Sequence, residues 1–78
     1  MPAKHLQLAR KVAEDIRAVP RLVALVELDG TWQAILAIVR APEFRMVDKI
    51  AFDRIENRAR PLENFIDAVR RLVIWGQL

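Results

Sequence analysis

Few residues of this chain could do chemistry. It has no Ser, no Cys and no Tyr, and its only Thr is Thr31. The usual nucleophiles are therefore nearly absent. His5 is the only histidine and stands close to the N-terminus, so a general base or metal ligand there would lack companions. Asp48, Asp53 and Glu56 are the carboxylates to weigh as an acid–base pair. On a strand, positions 48 and 53 point to opposite faces and do not converge on one substrate or metal. Gly30 and Gly76 are the only glycines, too few for a phosphate-cradling loop. These residues predict no enzyme: no catalytic residue, no cofactor and no metal site.

Arg45, Lys49, Arg54, Arg58 and Arg60 form the strongest polar group. Such a group can meet nucleic-acid phosphates or an acidic protein groove. Asp48, Asp53 and Glu56 interleave with it, whereas a nucleic-acid stripe is normally of one sign. Phe44 and Phe52 are needed for a core, so no aromatic platform is left for bases. Nucleic-acid binding is thus the alternative reading, and a solvated mixed-charge face is the plainer one. The two tryptophans are Trp32 and Trp75. Trp32 suits a core position. Trp75 and Leu78 leave the tail unusually apolar and are the expected dimer or partner contact.

The segment Arg21 to Arg40, RLVALVELDGTWQAILAIVR, must position the rest, since fourteen of its twenty residues are apolar or Gly. Asp29-Gly30 between two apolar runs predicts a β-hairpin, because a type I′ turn needs positive φ at both central residues. Both strand faces are then apolar, as in strands buried on both sides. Val23, Val26, Ile35, Ile38 and Val39 are β-branched and favour strand. Two helices are the rival. Trp32, Ile35, Leu36 and Val39 fit helical spacing, and Pro20 could open a helix. No Ser, Thr, Asp or Asn immediately precedes Pro20 to cap one.

Helices are expected at both ends. Leu8, Val12, Ile16 and Val19 make a stripe along Pro2 to Ala18, which Pro20 stops. Leu62, Phe65, Ile66, Val69, Leu72 and Val73 make another from Pro61 to about Trp75, with Gly76 as its stop. Between them, Phe44 to Ile55 is read as a third strand at a charged edge. A helix there is the alternative. The expected fold is α+β, a helix, a three-stranded antiparallel sheet and a helix (αβββα), with an all-α small helical bundle as the alternative. The order resembles that of the double-stranded-RNA-binding domain in topology only. That family's Gly-Pro-x-His loop is missing, and the last helix opens with the acidic Pro61-Leu62-Glu63, so no function is carried over.

A chain of 78 residues reads as one domain, 1–78. A domain this size buries only about 60–65% of its surface. With 54% hydrophobic residues, apolar surface should remain for a partner, most simply a second copy. No uninterrupted apolar run reaches the ~18 residues of a membrane span. The N-terminal residues lack a signal-peptide core, so a cytoplasmic location is expected. The net charge of +3 comes from ten Arg and three Lys against ten acids and fits several kinds of partner. The expected function is a non-enzymatic protein-interaction module: a small homodimeric regulator of antitoxin, immunity or phage-inhibitor type. It would bind and mask a larger, unidentified protein.

Overall fold

The computed structural model describes residues 3–44 and 62–77. Among these residues the helices are, in chain order, α1 (Ala3–Arg17), α2 (Pro20–Leu28), α3 (Trp32–Val39) and α4 (Leu62–Trp75). No strand occurs among the described residues. The expected αβββα order is therefore corrected. Its first two strands are the helices α2 and α3, and the described residues take the all-α alternative. The proposed third strand, Phe44 to Ile55, lies outside the described residues except for Phe44. That residue is buried, and its N–H donates to Ala41 O at 3.1 Å, closing a turn rather than a ladder.

The break between α1 and α2 is set by Pro20. The ring of a proline pushes the preceding residue out of the helical region. Val19 accordingly sits at φ −124°, ψ 102°. Its carbonyl still accepts from Leu22 N–H at 2.9 Å and Val23 N–H at 3.2 Å, which starts α2. No side chain caps this helix. Proline at the first position removes one of the orphan donors that a cap would serve. That is how α2 forms without the missing Ser, Thr, Asp or Asn.

The Asp-Gly turn fails for a specific reason. Asp29 lies in the extended region at φ −150°, and Gly76 is the only described residue with positive φ. Neither turn residue adopts the conformation a type I′ turn requires. Asp29 Oδ1 instead accepts from Thr31 N–H at 3.2 Å, an Asx-type turn. Thr31 Oγ1 then accepts from Ala34 N–H at 3.3 Å and caps α3. Such a cap is worth about 1 kcal/mol. The Asp29-Gly30 pair that suggests a hairpin thus ends one helix, and Thr31 after it begins the next.

The core is one apolar cluster. Ala9, Val12, Ala13 and Ile16 face it from α1; Leu22 and Val26 from α2; Ile35 and Ile38 from α3. Phe65, Val69, Leu72 and Val73 supply the α4 side. The two terminal stripes agree with the sequence expectation. Trp32 meets Phe65 edge-on, with ring centroids 6.5 Å apart and planes at 74°, a geometry worth about 0.5–1.5 kcal/mol beyond area burial.

Two polar ties join distant parts of the chain. Arg21 pairs with Glu43, holding the start of α2 to the turn after α3. Arg17 Nη1 donates to Leu72 O at 3.3 Å, so the C-terminal ends of α1 and α4 meet. Gly76 N–H donates to the same carbonyl at 3.0 Å. At φ +74°, Gly76 terminates α4 in the left-handed region, and a Cβ there would lie 2.8 Å from Arg17 Nη1.

The two glycines should respond differently to alanine. Gly76→Ala carries a left-handed penalty of about 1–2 kcal/mol and displaces Arg17. It should lower the melting temperature by several degrees, at roughly 4–8 °C per kcal/mol for a domain of this size. At Gly30 the added Cβ meets only the Arg70 side chain, whose Cδ is 2.8 Å away and can swing into solvent. Gly30→Ala should stay within about 0.5 kcal/mol of wild type. Thermal unfolding of both variants checks this, and a large loss at Gly30 would restore the positive-φ turn.

Candidate functional site

Among the described residues, those with catalytic potential do not converge. His5 and Asp15 both lie on α1, ten positions apart, which is about 15 Å along a helix. His5 is half-buried and its Nδ1 has no hydrogen-bond partner. Among the described residues, no cluster of His, Cys, Asp and Glu could hold a metal ion. Thr31 and Asp29 are engaged at the α2–α3 junction. The carboxylates Asp48, Asp53 and Glu56 lie outside the described residues. So does the whole group Arg45, Lys49, Arg54, Arg58 and Arg60.

What the described surface does offer is apolar. Six of the nine residues of α2 are Leu, Val or Ala. A helix has two sides, and the cluster covers one of them. Leu22 and Val26, four apart, point inward. Ala24, Leu25 and Leu28 lie on the other side and are exposed. Leu28 is 85% exposed and Leu25 43%. Arg21 and Glu27 border this face, and Arg21 is already tied to Glu43. The third large exposed hydrophobic is Trp75, 66% exposed in the last turn of α4.

Of the expected contact pair, Trp75 is thus at the surface, and Leu78 lies outside the described residues. Leu25 and Leu28 escaped the sequence reading. As strand residues they would share apolar faces buried on both sides. Only the helical period turns them outward, away from Leu22 and Val26. Arg17 escaped as well, because its acceptor is 55 residues away in sequence.

No protein-family model, curated protein or solved structure matches the chain.

The titration of Asp15 is displaced. Burial, and secondarily the charge of Glu14, push its carboxyl above the ordinary value. Its Oδ2 is buried without a hydrogen-bond partner. The folded state therefore holds the proton more tightly than the unfolded chain does. Stability then falls as pH rises from the unfolded pKa through the folded one, and the penalty is complete at neutral pH. Asp15→Asn should unfold at higher urea than wild type near pH 7. The difference should shrink near pH 3.5, below the ordinary Asp value of about 3.9. A variant less stable at neutral pH would show that the ionised carboxylate carries no such penalty.

Proposed function

We propose that this chain is a non-enzymatic protein-interaction module, a small self-associating regulator that binds and masks a larger protein. The observation that carries the reading is the outer face of α2, where Leu28 and Leu25 stand in solvent. Single exposed leucines are ordinary. Two of them one turn apart beside Ala24, on a helix whose inner face is already packed, form a contact surface. Trp75 adds a large side chain of the type enriched at binding hot spots.

Magnitudes limit what this surface does alone. Fully burying a leucine is worth about 1.5–3 kcal/mol. Leu25 and Leu28 together supply a few kcal/mol, whereas association costs roughly 4–15 kcal/mol in lost freedom. The face of α2 is therefore an anchor within a larger interface, not the whole of it. Antitoxin, immunity and inhibitor proteins are the class this reading fits, because their work is masking and needs no reactive group.

Leu28→Glu tests the reading directly. The side chain is exposed, so the helical circular dichroism and the melting temperature should stay close to wild type, within about 0.5 kcal/mol. Self-association, measured by size-exclusion chromatography with light scattering, should weaken, and so should binding of a hydrophobic dye. Both losses should persist at high salt. A wild-type protein that is strictly monomeric and takes up no dye would remove the proposal. A monomer that carries nucleic acid at low salt and sheds it at high salt would put the arginine group in its place.

A further inference from the structure

We draw no further inference here: the strongest candidate, the outward apolar face of α2 at Ala24, Leu25 and Leu28, belongs to the surface already described, and nothing in the structure shows what second chain or ligand covers it.

Discussion

Burial of one face of α4 is the contact on which the other helices depend. α4 packs against α1, α2 and α3. Phe65, the largest of the fully buried side chains among the described residues, sits on that face. A nine-residue helix and an eight-residue helix are far below the length at which a peptide helix holds in water. Neither α2 nor α3 has propensity to spare, given their β-branched content. They persist because Leu22 and Val26 reach the surface that α1 and α4 make between them, while α3 packs Ile35 and Ile38 into the same core beside α2 and α4. The terminal helices thus act as the frame, and the central segment is shaped to fit it.

That dependence explains why the ends of the chain were legible and its middle was not. The stripes on α1 and α4 are flanked by charged residues, so their period is visible: Ala9, Val12, Ala13 and Ile16 against Arg10, Lys11 and Glu14. In α2 and α3 almost every position is apolar, and a pattern without contrast has no period to read. Against the helical spacing of Trp32, Ile35, Leu36 and Val39 stand the turn chemistry of Asp29-Gly30 and the β-branched residues. Both favour strand locally. The fold overrides them with Pro20, which sets the entry to α2, and with Thr31, which caps α3 through Ala34 N–H.

The polar ties show a second limit of sequence reading. Arg17 reaches Leu72 O, and Arg21 reaches Glu43. Neither pair has helical i, i+4 spacing, unlike Asp67 and Arg71, whose 3.1 Å contact could be expected from position alone. Arg17 is worth more than an ordinary surface cation because of where it lies. It occupies the carbonyl end of α4, where positive charge is favoured, and it does so beside the glycine that ends the helix. The candidate site divides in the same way. Trp75 was recognisable from its place before the terminal glycine. The outward leucines of α2 depend on the helical period that the sequence conceals.

The correction from strand to helix also changes what the apolar excess means. Strands buried on both faces would consume Leu25 and Leu28 inside the domain, and a high apolar fraction would then be a matter of stability. As a helix, α2 turns Leu22 and Val26 to the core and its other side outward. The same residues then leave Ala24, Leu25 and Leu28 in solvent, where they add nothing to the core and cost something in solubility. Exposed apolar side chains of that size are not explained by the packing of α2, whose inner face is complete with Leu22 and Val26. Among the described residues, the change from strand to helix therefore moves part of the apolar excess from the interior to a named face of one helix.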